Sequence, residues 1–240
     1  MRRFMGFSGV KRRCFAAVLY ITGLLVPGAA NAQEIITAER YLEMVGERYG
    51  SIRDYEARIV IRSGNTEMFG SLSHLAPSFL RIDFTKPMEQ VIAFNGEMLT
   101  VYLPEYRATL NQAVTPSRRS GVSGAALASA QGLTLLRRNY IPSFVTGPDP
   151  APLETGSDEM VVNLRLARRS VSEGFREIIL SVNPATRLIR RISGRTIADA
   201  QVRFDFSDIK INQGIPEQRF IYDSPASANN YNNFLFNDAD

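Results

Sequence analysis

Period-two alternation, repeated in short runs along most of the chain, is the feature that most restricts the fold. YEARIVIR sets Tyr55, Ala57, Ile59 and Ile61 against Glu56, Arg58 and Arg62, and FLRIDF sets Leu80, Ile82 and Phe84 against Phe79, Arg81 and Asp83. Successive side chains of a strand point to opposite faces, so each run reads as a half-buried strand. MVVNLRLA, FREIILSV, LIRRIS, AQVRFDF and RFIYD continue the series, with a turn at Asn183-Pro184, while PSFVTGPDPAPLETGSD reads as a loop. Many short strands separated by turn signals pair antiparallel into a long sheet, and a sheet of this length curls. Its concave face must then be filled by side chains, helices or a ligand.

VIAFNGEMLTVYLP carries the sharpest local signal. Asn95-Gly96 between two β-prone runs predicts a two-residue type I′ turn, which pairs Phe94 with Glu97 and Ile92 with Leu99. Ile92, Phe94, Leu99, Val101 and Leu103 then share one face, and Val91, Ala93, Met98, Thr100 and Tyr102 share the other. A hairpin with one wet side alternates apolar and polar residues, whereas this one is largely apolar on both sides, so both need cover.

Two helices are expected. Thr37 to Tyr49 has an N-cap threonine, Tyr41, Leu42, Val45 and Tyr49 at helical spacing, and Gly50 at the stop. From about Ser123, AALASAQGL predicts a second helix, weakened by Gly132, with only Leu127, Leu133, Leu135 and Leu136 as large apolar groups. Such a helix buries little area and suits a gate; it also suits close packing as ordinary core. The class expected is mainly β with helices (α+β).

The first 32 residues have a basic start, an apolar run from Cys14 to Val26 and small residues at Ala30 and Ala32. This is the pattern of a secretory signal peptide cleaved after Ala32, its apolar run being shorter than the ~20 residues that span a bilayer. Residues 33–240 are then one domain with no cysteine, because Cys14 is the sole one. The leader holds five of the 28 Lys and Arg residues and none of the 24 acids, leaving 23 bases against 24 acids. Without a concentrated positive field there is no electrostatic case for nucleic acid. The pairs Arg118-Arg119, Arg137-Arg138, Arg168-Arg169 and Arg190-Arg191 read as solvated surface rather than a basic patch.

Catalytic patterns are lacking. His74, the one histidine, makes neither a usual zinc site nor a Ser-His pair, and reads as a surface strand residue. GVSGA is not a nucleophile elbow, and the adjacent Asp158 and Glu159 point to opposite faces of a strand. Neither an enzyme, a metal site nor a cofactor is expected.

Gly70 to Pro104 presents Pro77, the strand FLRIDF, Pro87, the Asn95-Gly96 turn and then Tyr102-Leu103-Pro104; a late FIYDSP follows with Phe220, Tyr222 and Pro225. In this order the chain resembles the LolA family of periplasmic outer-membrane lipoprotein carriers. The resemblance implies a curled antiparallel sheet forming an incomplete β-barrel closed by a helical lid, with an apolar cavity for lipoprotein acyl chains or another lipid. The implied cavity positions are Leu80, Ile82 and Phe84, with Ile92, Phe94, Leu99 and Val101 beside them; the lid falls on Ala126, Leu127, Ala130 and Leu133. A soluble periplasmic monomer is implied, loaded by an inner-membrane donor complex and unloaded at an outer-membrane acceptor. The alternative is a sensor of the same fold that binds lipid or envelope protein and carries nothing. One departure stands out: the family often has an Arg before the Pro, holding the lid, and here that residue is Ala76. The lid-holding role is then absent, or supplied by another residue such as Arg81, which alternation places on the opposite face.

Overall fold

The computed structural model describes residues 36–114 and 124–234. The leader with its expected cleavage point, Arg118-Arg119 and the expected lid start at Ser123 lie outside them. Among the described residues there are thirteen strands and two α-helices. The first helix, α1 (Ala38–Gly50), begins as expected, with the Thr37 hydroxyl accepting from Arg40 N. Then come β1 (Asp54–Ser63), β2 (Thr66–Leu75), β3 (Phe79–Lys86), β4 (Val91–Phe94), β5 (Met98–Leu103) and β6 (Ala108–Ala113). A 3-10 turn at Gly124–Leu127 leads into α2 (Ala130–Asn139). The chain continues through β7 (Tyr140–Phe144), β8 (Ala151–Pro152), β9 (Met160–Arg168), β10 (Phe175–Val182), β11 (Ile189–Thr196), β12 (Gln201–Ile211) and β13 (Asn229–Asn232).

The strand order is β13-β6-β5-β4-β3-β2-β1-β12-β11-β10-β9-β7, with β8 paired to β9. Its two ends, β13 and β7, do not meet, so the sheet is curled and unclosed, as expected. Every pairing is antiparallel except β13 on β6, which is parallel. The inward rows run in register across the strands: Tyr55 faces His74, His74 faces Leu80, and Leu80 faces Phe94. Ile59 faces Phe206, while Phe204, Ile192, Leu180 and Leu164 form a row on the other side. These rows and both helices make a single core, including Leu42, Val45, Leu133, Leu136, Leu164 and Leu180.

Three expectations are corrected. The Asn95-Gly96 hairpin has a four-residue turn, so Phe94 pairs with Leu99 and Ile92 with Val101. Only Gly96 of the two has positive φ, +93°, and the Asn95 side chain accepts from Glu97 N and Met98 N, which stabilises the wider turn in place of type I′. A shift of two keeps every side chain on its expected face. Strands β2 and β6 form where alternation is weak, and β7 and β8 extend into the segment expected to be loop. RFIYD is not a strand: Glu217–Phe220 is a 3-10 turn and the following residues lie across the outer face of β3–β5.

That strap covers the second apolar face of the hairpin. Val91, Ala93 and Tyr102 pack against Tyr222 and Ala228. Phe220 is 1% exposed and meets the Phe79 ring edge-on at 5.5 Å. Arg81 NH1 donates to the carbonyls of Arg219 and Ile221 at 3.0 and 3.2 Å, and its guanidinium lies 5.4 Å from the Tyr222 ring. Arg81 therefore fastens the strap on the convex face.

Candidate functional site: a covered apolar face with two cavities

The concave face is covered in two ways. α1 lies over one half with Tyr41, Leu42, Val45 and Tyr49 buried. Tyr41 meets Phe144 edge-on at 6.0 Å, and Tyr49 Oη accepts from Ile189 N at 3.1 Å. Over the other half lie the 3-10 turn and the start of α2. Leu133 and Leu136 are fully buried, whereas Ala126, Leu127 and Ala130 are half-buried. The expected lid thus divides at residue 132: its C-terminal leucines are core, and 126–132 form a cover. Gly132 lets the two parts touch, because a Cβ there would sit 2.5 Å from Ala126 O and 2.6 Å from Leu127 Cα.

Beneath this cover are two cavities. One, about 70 Å³, is bordered by His74, Leu80, Phe94, Leu127 and Leu135, with Ser78 among its polar groups. The other, about 190 Å³, is bordered by Tyr49 and Gly50 at the end of α1 and by Tyr55, His74, Ala76 and Ala130. His74 and Gln131 border both. Pockets that enclose small ligands run to about 300–1,000 Å³, so neither void holds a long acyl chain while the cover is down.

Of the implied cavity residues, Leu80 and Phe94 touch the smaller void. Ile82 and Phe84 are buried further along β3, and Ile92, Leu99 and Val101 are half-buried on β4 and β5. The hydrogen bond holding the cover comes from neither position 76 nor Arg81. Tyr55 Oη donates to Ala128 O at 2.7 Å in a buried setting. Burial pushes the Tyr55 phenol well above its ordinary value, so it remains a donor. Ser129 completes the local structure, donating to Ala126 O at 2.7 Å and capping α2 by accepting from Gly132 N.

His74 is not on the surface. It is 6% exposed and stacks on Tyr55 with centroids 5.1 Å apart. Its place opposite Tyr55 and Leu80 turns it inward, and sequence alone lacked that register because β2 was unmarked. Among the described residues neither ring nitrogen has a hydrogen-bond partner. Burial lowers its pKa to about 4, leaving the imidazole neutral at pH 7. Both arginines of the Arg190-Arg191 pair are held by carboxylates: Arg190 by Glu159, and Arg191 by Asp205 and Glu154. Among the described residues no group of three His, Cys, Asp or Glu side chains is placed to hold a metal ion.

No protein-family model matches the sequence, and no curated protein sequence does. Solved structures do match. An uncharacterised conserved protein from Thermus thermophilus superimposes with a TM-score of 0.52 at 13% identity, covering 81% of this chain and 98% of that one. A LolA superfamily protein from Nitrosomonas europaea gives 0.40 at 16% identity, covering 78% and 98%. The lipoprotein LppX of Mycobacterium tuberculosis gives 0.48 at 9%, covering 75% and 97%. At 13% identity the likeness to the Thermus thermophilus protein is one of fold alone.

Proposed function

We propose that the chain is a periplasmic carrier which shelters the acyl chains of a lipoprotein, or of a related amphiphile, beneath the 126–132 cover. The observation that carries this reading is the unequal closure of the concave face. Most of α1 packs its apolar stripe into the core, while 126–132 is a partly buried cover over an apolar floor, with voids that reach from it to the end of α1 at Tyr49 and Gly50. Each buried methylene is worth about 0.8 kcal/mol, so an acyl chain in water gains by entering once the cover lifts. Carriage of this kind requires no cofactor and no bond-making residue. The sequence supports the compartment through its leader, with the working protein starting at Gln33.

Loading displaces the cover, because voids of about 70 and 190 Å³ are too small as they stand. Release at an acceptor reverses that step. The experiment offers residues 33–240 a fluorescently labelled N-palmitoylated peptide and then anionic vesicles. A carrier holds the peptide in solution as a one-to-one complex and passes it to the vesicles. A chain that never holds the peptide contradicts acyl binding; one that holds it and never passes it on is a sensor.

A further inference from the structure

His74 is a polar side chain buried against two cavities and, among the described residues, left without a partner. Burying a hydrogen-bonding group unpaired is costly, and an apolar residue at this position avoids that cost. The surroundings are graded. Leu80, Phe94, Leu127 and Leu135 give the smaller cavity an apolar body, and Ser78 and Gln131 stand beside His74 as its polar groups. Ser129, also on that wall, already uses its hydroxyl for Ala126 and Gly132.

We propose that His74 is the head-group contact of this pocket, its imidazole N–H donating to the carbonyl oxygen of an acyl ester or amide whose hydrocarbon lies along Leu80 and Phe94. The inference rests on the acyl-binding reading above and adds to it a polar address within the cavity. A neutral imidazole suits this ligand: it offers one N–H donor and needs no counter-ion in a site whose described walls hold no carboxylate. The stacked Tyr55 ring ties the site to the cover, since the same tyrosine donates to Ala128 O. A ligand head at His74 therefore lies beside the bond that holds the cover down. Free fatty acids and acyl esters share the carbonyl, and the test separates them.

The test is competition against bound diphenylhexatriene by methyl palmitate, palmitic acid and hexadecane, using residues 33–240. The wild type is expected to bind methyl palmitate about ten-fold more tightly than hexadecane, the contribution of one buried hydrogen bond. His74→Leu is expected to lose the ester's advantage, the ratio of ester to hexadecane affinity falling to about one, with a melting temperature no lower than the wild type. His74→Asn keeps a side-chain N–H and is expected to retain part of that advantage, which keeps the test decisive if the leucine variant does not fold. Palmitic acid bound at pH 8 more tightly than the ester would replace the neutral carbonyl by a carboxylate and overturn the proposal as stated. Ester and hexadecane bound equally by the wild type, or an ester preference that survives His74→Leu, would overturn the role of His74 while acyl binding stands. Failure of all three ligands to displace the probe would overturn both.

Discussion

The two halves of the concave face are built from similar strands and closed to different degrees. Under α1, Val162, Leu164, Leu166, Ile178, Leu180 and Ile189 are all at most 1% exposed. On β4 and β5, Ile92, Leu99 and Val101 remain half-buried, and by the 126–132 cover both cavities touch His74. The difference lies in what each helical element inserts. α1 presents Tyr41, Leu42, Val45 and Tyr49 on one stripe; the cover presents alanines, a glycine and Leu127 until Leu133 and Leu136 anchor it. Large side chains fill more of the space than small ones, so the contrast between a firmer half and a yielding half follows from side-chain volume.

Truncation is the strongest way to break that comparison. Leu42→Ala is expected to cost about 2–5 kcal/mol, as for a fully buried leucine, and Leu127→Ala no more than about 1.5 kcal/mol. Urea unfolding of the two variants measures the gap; equal losses would mean that the halves are packed alike. Acid comes next. The His74 pKa of about 4 lies below the ordinary 6.5, so between those values the unfolded chain takes up a proton that the folded chain refuses. Stability is expected to fall as pH drops from 6.5 to 4, by up to about 3 kcal/mol, and His74→Leu is expected to remove that part of the fall. Parallel pH titrations of stability in the two proteins provide the check.

Gly132→Ala sharpens the comparison from within the cover. Its Cβ would press on backbone at 2.5 and 2.6 Å, so a loss of about 1–3 kcal/mol is expected, together with faster amide exchange confined to 124–136. Tyr55→Phe removes the donor to Ala128 O and is expected to cost about 1–2 kcal/mol while easing entry of an apolar probe, read as a faster on-rate. A Tyr55→Phe protein with unchanged entry kinetics would remove Tyr55 as the latch.

Alternation made most strands legible because Tyr55, Ile59, Ile82, Leu164 and Leu180 sit at every second position facing one core. It failed on β2, whose inward row reads Met68, Gly70, Leu72 and His74; pairing with β1 and β3, rather than its own pattern, makes it a strand. It misread RFIYD because Phe220 and Tyr222 anchor a strap to Phe79 and Tyr102, a use of spaced aromatics that a strand pattern imitates. The apolar site was visible in FLRIDF and in the hairpin. The inward turn of His74 and the latch from Tyr55 were not, since both depend on register between strands and on a backbone carbonyl more than seventy positions away. Small residues announced the cover, but which leucines anchor it depends on the fold around α2.

The most direct measurement is amide hydrogen exchange of residues 126–132 against residues 162–166 and 178–182, with and without methyl palmitate. The account predicts fast exchange in the empty cover, slow exchange in the two strand segments, and a change on adding ligand that is confined to the cover and its neighbours. Exchange in 126–132 as slow as in those strands, and indifferent to the ester, would contradict the claim that one half of the concave face is built to open.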